Sequence, residues 1–486
     1  MRKKINFRML LRIIGGLTML EAMFMIVPVI TALIYGESDW EILAATAAIT
    51  ACAGFGLWKV RPRSTFMGKR EGFLLTASVW IVFSLFGMIP FMFCATPVGL
   101  SSAFFEAMSA FTTTGATTLA FPVSSMSHGM VIWQALMQWL GGMGIILFTL
   151  AIIPALNTAG GMQMFNAEVT GITHDKLRPR ISQTAMALWG LYIALTFIMM
   201  VLLWMGPMDL FDSICHAFGT LSTGGFSSRA GSIGEFQSDY VLVVTGIFML
   251  LGGMNFAMIY KVVLGRWRQV KADEIVRIYL GAILVFSLMF IVARIIKGDI
   301  SSWRELSLLP VFQVISTITS TGYIAPGFTM WEPFVLALTF MMMFSGGCAG
   351  STSGGAKIDR LLYLKRYLSN ALKQCIHPNA ILSVKVNGAI VNQGLVNKVV
   401  AFLCLFILLI VGGGTAMSFL GLPPVDSFFS SFSCICNTGF GASLTGYGED
   451  FTIVPDAAKW ILSFLMLTGR LEVFTILLLF TRPFWK

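Results

Sequence analysis

Four short segments of this chain share a hydroxyl or amide residue, then threonine, then glycine. They are Thr113-Thr114-Gly115, Ser222-Thr223-Gly224, Ser320-Thr321-Gly322 and Asn437-Thr438-Gly439, and their glycines lie 98 to 117 residues apart. Glycine lets the backbone leave ordinary helix and strand geometry at low cost, so several carbonyl groups can point one way. A ring of such carbonyls can replace the hydration shell of a cation, and a threonine hydroxyl can add an oxygen. These segments, called the Thr-Gly loops below, are therefore predicted to surround one cation path.

The composition shows where such a path would lie. Of the 486 residues, 56% are hydrophobic and only 12% are charged, and the mean hydropathy is +0.81. A soluble protein of this size would carry about 25% charged residues. The chain is therefore predicted to cross a membrane many times as helices of roughly 20 apolar residues.

Each Thr-Gly loop ends a short segment between two long apolar stretches. The short segments have 13 to 18 residues, fewer than the roughly 20 needed to cross about 30 Å of hydrocarbon; they are 100–112, 209–221, 302–319 and 424–436. A short helix that enters the membrane and returns as a loop is tolerated only where protein or a water path surrounds it. The predicted fold is an all-α polytopic membrane protein with four pseudo-fourfold units around one pore. Each unit runs outer helix, pore helix, filter loop, inner helix.

The same pattern predicts how the chain is divided. Two further apolar spans precede the first unit and contain no Thr-Gly loop. The predicted divisions are a two-helix extension, a first unit, a second unit preceded by a cytoplasmic loop, a third unit with a broken inner helix, and a fourth unit preceded by a cytoplasmic segment. Their ranges are 1–70, 71–156, 157–265, 266–370 and 371–486.

Charged residues are distributed unequally between the two sides of the predicted membrane. The net charge of +10 could indicate nucleic-acid binding, but most Lys and Arg fall in one set of loops that includes both termini. This asymmetry follows the positive-inside rule and predicts cytoplasmic termini, contact with lipid and no nucleic-acid partner. Most acidic residues lie on the opposite side, where they either attract cations into a vestibule or are merely solvated; among them are Glu37, Asp39, Glu41, Asp209, Asp212, Asp426, Glu449 and Asp450.

The third inner span is interrupted by glycine. Residues 345–355 contain five glycines, each of which costs a helix about 1 kcal/mol, so a regular helix cannot continue. One interpretation is a packing kink followed by a loop; the other is a plug below the filter that gates the pore. The residues assigned to this gate are Gly346, Gly347, Gly350, Ser351, Thr352, Gly354 and Gly355.

Arg470, in the fourth inner span, is also assigned to the gate. A Gly-Gly pair follows each of the first three Thr-Gly loops by some 24 to 30 residues, and Arg470 replaces the second glycine of the fourth copy. An arginine at this depth costs roughly 3 kcal/mol or more, so it needs water or a partner. It either pairs with another helix or faces the pore, where it repels cations. Glu472 is two residues away and is not its obvious partner.

Together these features resemble the TrkH/KtrB/HKT superfamily of potassium transporters. The resemblance rests on the four Thr-Gly loops, the broken third inner helix and Thr468-Gly469-Arg470-Leu471-Glu472. The length and the two extra spans are similar to its bacterial TrkH branch.

The resemblance implies potassium uptake at the bacterial inner membrane by a homodimer under a cytosolic, nucleotide-binding RCK ring (TrkA). Potassium would be the transported and filter-bound ion, with no organic cofactor in this chain. The filter glycines would be Gly115, Gly224, Gly322 and Gly439.

Other functions are weighed against the same residues. No loop has the full Thr-Val-Gly-Tyr-Gly of potassium channels, so weaker discrimination against sodium is expected. A proton- or sodium-coupled potassium symporter on the same fold stays open, because Glu21, Arg470 and Glu472 are ionisable groups at membrane depth. A membrane enzyme would need clustered His, Cys or carboxylates at that depth. The sequence contains none, so the chain is predicted not to be an enzyme.

Overall fold

The protein is a bundle of apolar helices. The structure, a computed structural model, describes residues 5–62, 67–119, 125–144, 181–298, 302–326, 333–441 and 451–486. Within these ranges six helices are long and apolar enough to cross a membrane, and counting two sharply bent pairs as one span each gives up to eight. The predicted helical, polytopic fold class is confirmed.

The N-terminal extension has two spans, as predicted, but the first is interrupted. It consists of Phe7–Phe24 and Ile26–Tyr35, and the second span is Trp40–Trp58. Pro28 has no backbone N–H to donate to the carbonyl one turn earlier, which explains the interruption near Met25. Gly15 and Gly54 let the two spans approach closely, because a methyl group on either would lie within 3 Å of the facing backbone.

Four units of equal plan follow the extension. The outer helices are Lys69–Gly87, Ile181–Trp204, Glu274–Lys297 and Gln393–Phe419. The pore helices are Leu100–Phe111, Leu210–Leu221, Leu309–Ile318 and Pro424–Ile435. The inner helices are His128–Gly142, Asp239–Gly252, Pro333–Ser345 and Asp456–Arg470. Each predicted short segment therefore contains a pore helix.

Burial separates the pore helices from the outer helices. All residues of the first pore helix from Ser101 to Phe111 are buried. The outer helices instead expose large apolar side chains such as Phe197, Leu284 and Leu408. Apolar exposure of this kind suits a lipid environment, while the polar backbone at the ends of the pore helices is enclosed by protein.

The inner helices are interrupted more often than the sequence predicted. The third breaks after Ser345, as expected, and the chain resumes as a helix at Ile358. The second also bends, by 107° between Gly252 and Phe256, and the fourth by 112° between Arg470 and Phe474. The fourth inner span therefore does not continue as one helix to about residue 480.

Local residues explain the two unexpected bends. In the second inner helix Gly253 follows Gly252, and the Asn255 side chain accepts a hydrogen bond from the Ala257 N–H to start a new helix. In the fourth, Glu472 and Val473 both have positive φ angles. That conformation is rare for residues with side chains, so tertiary contacts must hold it.

The remaining elements lie between these helices or follow the last of them. The helices are Ile89–Phe93, Phe256–Val263, Trp267–Ala272, Ile358–Ile376, Phe474–Leu477 and Arg482–Trp485, with single turns at Ser232–Phe236, Arg304–Leu308 and Leu478–Phe480. A two-residue hairpin pairs Lys385–Val386 with Ala389–Ile390. The predicted continuation of the first inner span to residue 153 and the following cytoplasmic stretch to residue 180 lie outside the described residues.

Candidate ion pathway

The four Thr-Gly loops meet in a closed ring. Each contains a glycine at positive φ, and a methyl group added to that glycine would collide with a carbonyl oxygen of the next loop. The pairs are Gly115 with Gly224 O at 2.1 Å, Gly225 with Thr321 O at 1.9 Å, Gly322 with Thr438 O at 2.2 Å and Gly439 with Thr114 O at 2.2 Å. The contacts run from the first loop to the fourth and back to the first, so four carbonyl-bearing segments enclose one axis.

The second loop differs from its prediction by one residue. Of the glycines assigned to the filter from sequence, Gly115, Gly322 and Gly439 have positive φ, but in the second loop the residue with positive φ is Gly225. Gly224 takes the place of the threonine that precedes the glycine in the other loops. The sequence suggested Gly224 because it directly follows Thr223. With two adjacent glycines, the sequence alone does not show which one adopts the positive φ angle. Gly224 still belongs to the ring through its carbonyl oxygen.

The residue two positions before each left-handed glycine shares a further unusual feature. Thr113, Thr223, Ser320 and Asn437 all have φ between 52° and 54°. Such angles cost a residue with a side chain about 1–3 kcal/mol. Thr113 Oγ1 and Asn437 Oδ1 are buried and have no hydrogen-bond partner among the described residues. These oxygens form an inner polar layer next to the ring, on the side of the interrupted third helix.

That interruption, residues 346–357, is called the intramembrane loop below, and it contacts three of the four units beneath the ring. Its Gly354 N–H donates to Ser320 Oγ at 2.5 Å, and a methyl on Gly354 would lie 2.0 Å from Cys436 O. Thr352 Oγ1 donates to the carbonyls of Leu221 at 3.1 Å and Gly252 at 3.0 Å. The loop is therefore fitted against the inner ends of the second, third and fourth Thr-Gly loops.

Glycine is required at several positions of the intramembrane loop. Gly346, Gly350 and Gly355 have positive φ angles. Gly347 N–H donates to Ser353 Oγ at 2.8 Å, and Ser351 Oγ donates to Cys348 O at 2.6 Å. The segment is thus a folded loop held by its own hydrogen bonds.

Arg470 joins the intramembrane loop to the first unit. Its guanidinium donates to Thr352 O at 2.5 Å, and to the carbonyls of Gly141 at 2.7 Å and Gly142 at 2.9 Å. Methyl groups on Gly141 and Gly469 would collide with Phe111 O and Ile435 O respectively. The two glycines are therefore equivalent, and Arg470 corresponds to Gly142. The structure thus places Arg470 below the ring, bonded to carbonyls.

A buried ion pair lies beside the intramembrane loop, and nothing in the residue pattern pointed to it. Arg360 pairs with Glu472, with side chains only 5% and 15% exposed, and the Arg360 guanidinium lies 4.1 Å above the Phe402 ring. The two charged residues are 112 positions apart in the chain. This pair explains why Glu472 turns away from Arg470, and it joins the end of the intramembrane loop to the fourth inner helix.

This ion pair predicts a stability effect. Glu472→Ala leaves Arg360 buried without its carboxylate, and breaking a buried pair in this way costs about 3–5 kcal/mol. We expect a clear fall in the melting temperature of the detergent-purified protein, followed by intrinsic fluorescence. The matched control is Glu274→Ala, because Glu274 pairs with Arg366 at 24% and 32% side-chain exposure, and such partly exposed pairs contribute about 0–1 kcal/mol. Equal melting temperatures for the two variants would contradict the prediction.

Acidic residues on the outer side are already engaged by the protein. Glu37 accepts hydrogen bonds from the N–H groups of His128 and Gly129, and Asp39 accepts from Ser127 Oγ and Ala95 N–H. Asp212 pairs with Arg229 at 2.6 Å. These three acids have structural roles, so they are not merely solvated. Glu449 and Asp450 lie outside the described residues.

Glu21, one of the ionisable groups noted in the sequence, lies within protein. It is completely buried in the first span of the extension. Its two carboxylate oxygens have no hydrogen-bond partner in the described part of the chain.

A ring of four re-entrant loops, enclosed by membrane-length helices and contacted on one side by the intramembrane loop, is the architecture of a multi-pass membrane transport protein. The sequence model of the TrkH family, described as cation transport protein, matches residues 40–295 and 302–484. The chain belongs to this family, and it is therefore a transport protein and not an enzyme.

Individual relatives extend over the whole length. The chain is 35% identical over 489 residues to the Trk system potassium uptake protein TrkH of Escherichia coli K12, covering 99% of this chain and 100% of that protein. It is 33% identical over 494 residues to the TrkH protein of Vibrio parahaemolyticus, with the same coverage. The crystal structure of the potassium transporter TrkH from Vibrio parahaemolyticus matches with a TM-score of 0.89 at 30% identity, covering 99% of this chain and 100% of that one.

Proposed function

We propose that this protein takes up potassium across the bacterial inner membrane through a selective, gated pore. The observation that carries the proposal is the closed ring of four Thr-Gly loops, because only such a ring can present carbonyl oxygens to a dehydrated cation from all sides. Potassium is proposed as the ion because the relatives that cover the whole chain are potassium uptake proteins. No organic cofactor takes part in this proposal.

The proposed filter consists of the loop residues. Potassium is bound by the carbonyls of the four loops, with Gly225 added to the set predicted from sequence, and by oxygens of the inner polar layer. The filter residues are Thr113, Thr114, Gly115, Ser222, Thr223, Gly224, Gly225, Ser320, Thr321, Gly322, Asn437, Thr438 and Gly439. Since no loop carries the longer channel sequence, discrimination against sodium is proposed to be weaker than in potassium channels.

The proposed gate combines the intramembrane loop with Arg470. The loop touches three units directly beneath the ring, so it lies where an ion leaving the filter would pass. Arg470 adds a positive charge at that level and is bonded to the loop through Thr352 O. Opening is proposed to require that the loop leave Ser320 and Leu221 and that Arg470 release its carbonyl partners.

The proposed surroundings follow from charge and from the relatives. Both termini are placed in the cytoplasm by the positive-inside distribution, and the chain is divided into the extension and four units as set out above. We propose a homodimer regulated by a cytosolic RCK-type ring (TrkA), in keeping with relatives named as parts of a Trk system. Basic stretches at 261–277 and 357–385 would meet either the regulator or acidic lipid.

A potassium symporter coupled to protons or sodium is the alternative. Its support from ionisable groups is reduced, because Glu472 pairs with Arg360 and Glu21 lies in the extension, outside the four units.

Rubidium uptake into proteoliposomes without a pH or sodium gradient separates the two functions. We expect uptake under a rubidium gradient alone, with sodium as a weak competitor. Uptake that appears only when a proton or sodium gradient is imposed would favour the symporter. Equal competition by sodium would contradict the selective filter.

A further inference from the structure

Each pore helix carries a polar side chain nine residues before the left-handed glycine of its loop. The four are chemically different and completely buried: Glu106, His216, Gln313 and Ser430. Their equivalence is visible only in the register of the structure, because it depends on Gly225, not Gly224, in the second loop. A polar side chain that is buried at the same position of each unit needs hydrogen-bond partners, and these partners differ between the units.

In the first unit this group is a carboxylate that holds the segment after the loop. Glu106 Oε1 accepts hydrogen bonds from Thr117 Oγ1 and Thr118 Oγ1, both at 3.0 Å, and from the Thr118 backbone N–H. Its other oxygen, Oε2, accepts from Gln134 Nε2 of the first inner helix at 3.1 Å. The four donors converge on one carboxylate, and hydrogen bonds to a charged acceptor are about twice as strong as neutral ones.

The third unit repeats the same connection with a neutral side chain. Gln313 Oε1 accepts from Ala325 N–H at 2.8 Å. Ala325 follows Gly322 by three residues, just as Thr118 follows Gly115. The segment leaving the ring is therefore held at the same point in both units, by three hydrogen bonds to a carboxylate in one and by a single bond to an amide oxygen in the other.

The second unit uses histidine in an altered arrangement. His216 Nδ1 lies 2.7 Å from Asp212 O and Nε2 lies 2.9 Å from Ser227 Oγ. A carbonyl can only accept, so Nδ1 donates and a neutral ring accepts the Ser227 hydroxyl at Nε2. Ser430 of the fourth unit has no hydrogen-bond partner among the described residues, and residue 442, which would correspond to Thr118, lies outside them.

A second set of hydrogen bonds acts one step closer to the ring. Ser109 Oγ donates to Ala116 O at 2.6 Å, and Ser316 Oγ donates to Tyr323 O at 2.7 Å. Both acceptors belong to the residue directly after the left-handed glycine. Pore-helix side chains therefore hold both a carbonyl and an N–H of the same short outer segment, so that its backbone cannot rotate freely.

We propose that Glu106 is a positioning residue that sets ion selectivity, with Gln313 as its weaker counterpart. The inference rests on the proposed potassium pore and adds to it the groups that fix the outer half of the filter. Converging carbonyl oxygens repel one another, and the ring can favour the larger ion only if its backbone resists collapse onto a smaller one. Glu106 supplies that resistance in the first unit without touching the ion.

The test uses the isosteric variant Glu106→Gln. Its amide oxygen can still accept from Thr117 and Thr118, and a turned Gln134 amide can still bond to its NH₂ group, but the negative charge that strengthens these hydrogen bonds is lost. We expect the rubidium-over-sodium preference in proteoliposome uptake to fall about fivefold or more, in line with the weakening of several hydrogen bonds that lose their charged acceptor. A selectivity ratio is read because loss of folded protein lowers both fluxes equally.

An exchange variant and a control sharpen the result. The exchange Glu106→Gln with Gln134→Glu keeps a carboxylate nearby but takes it away from Thr117 and Thr118, so its preference should stay as low as that of the single variant. Thr76→Ala is the control, because among the described residues the buried Thr76 hydroxyl bonds only to Gly72 O of its own helix at 2.9 Å, and its ratio should stay at the wild-type value.

The outcomes separate this inference from the proposed function. If wild type itself shows no preference for rubidium over sodium, the selective pore fails. If wild type is selective and folded Glu106→Gln keeps the wild-type ratio, or the exchange variant recovers that ratio, the role of Glu106 is overturned. Should Glu106→Gln not fold, Gln313→Leu, which removes the acceptor for Ala325 N–H, must lower the ratio for the inference to stand.

Discussion

Gly225→Ala is expected to abolish selective rubidium uptake, while Gly224→Ala keeps most of it. Gly225 has a φ of +79°, and its added methyl would lie 1.9 Å from Thr321 O of the neighbouring loop. The left-handed conformation alone costs an alanine roughly 1–2 kcal/mol, and the collision displaces a ring carbonyl. Either the loop rearranges or the ring opens, and in both cases the ordered oxygen ligands are lost.

Gly224 is the matched control for this substitution. A methyl there would meet the side-chain amide of Gln138 at 2.5–2.9 Å, the end of a side chain that can move. The equivalent residues of the other loops are threonines, so this position accommodates a side chain. Rubidium uptake and sodium competition in proteoliposomes measure both variants. Loss of selectivity in Gly224→Ala with normal uptake by Gly225→Ala would show that the register read from the sequence is the functional one.

Arg470→Ala is expected to raise rubidium flux about tenfold. The substitution removes a positive charge beneath the ring, where one unit charge acts on a passing cation with about 1–4 kcal/mol at distances near 4 Å. It also removes the bond to Thr352 O that holds the intramembrane loop against the first unit. Both changes lower the barrier for an ion that leaves the ring.

Arg470→Lys separates the charge from the bonds. Lysine keeps the positive charge but lacks the planar fork with which arginine reaches several acceptors at once, here the carbonyls of Thr352, Gly141 and Gly142. If charge dominates, the lysine variant stays near the wild-type flux; if the bonds to the loop dominate, it approaches the alanine variant. Initial rates of rubidium uptake, normalised to folded protein, measure all three. Unchanged flux in a folded alanine variant would remove Arg470 from the gate.

The extent of sequence-based prediction is seen best in the Thr-Gly loops. Four similar tripeptides after short segments led to the re-entrant units and to three of the four left-handed glycines. The left-handed glycine of the second loop was missed by one residue. Thr223-Gly224-Gly225 contains two glycines, and the sequence does not show which one has the positive φ angle. That choice is made by Thr321 of the next loop, whose carbonyl fills the space where a side chain at residue 225 would be.

The inner helices show the same division. Five glycines in 345–355 predicted the break in the third inner helix from sequence alone. The bend after Arg470 could not be predicted in this way, because the local sequence Leu471, Glu472 and Val473 is compatible with a helix. Glu472 turns there toward Arg360, a residue 112 positions away in the chain, so the bend depends on a tertiary contact.

By itself the sequence determined the membrane class, the four units, their short pore helices and the position of Arg470. Composition, span length and repeated small residues depend only on the local sequence or on averages over a segment, so they can be recognised without the tertiary structure. Only the tertiary structure decided the register at Gly225, the bends of the second and fourth inner helices, and the buried set of Glu106, His216, Gln313 and Ser430. These features depend on contacts between residues far apart in sequence, and four different side chains form one set only when the backbone superimposes their positions.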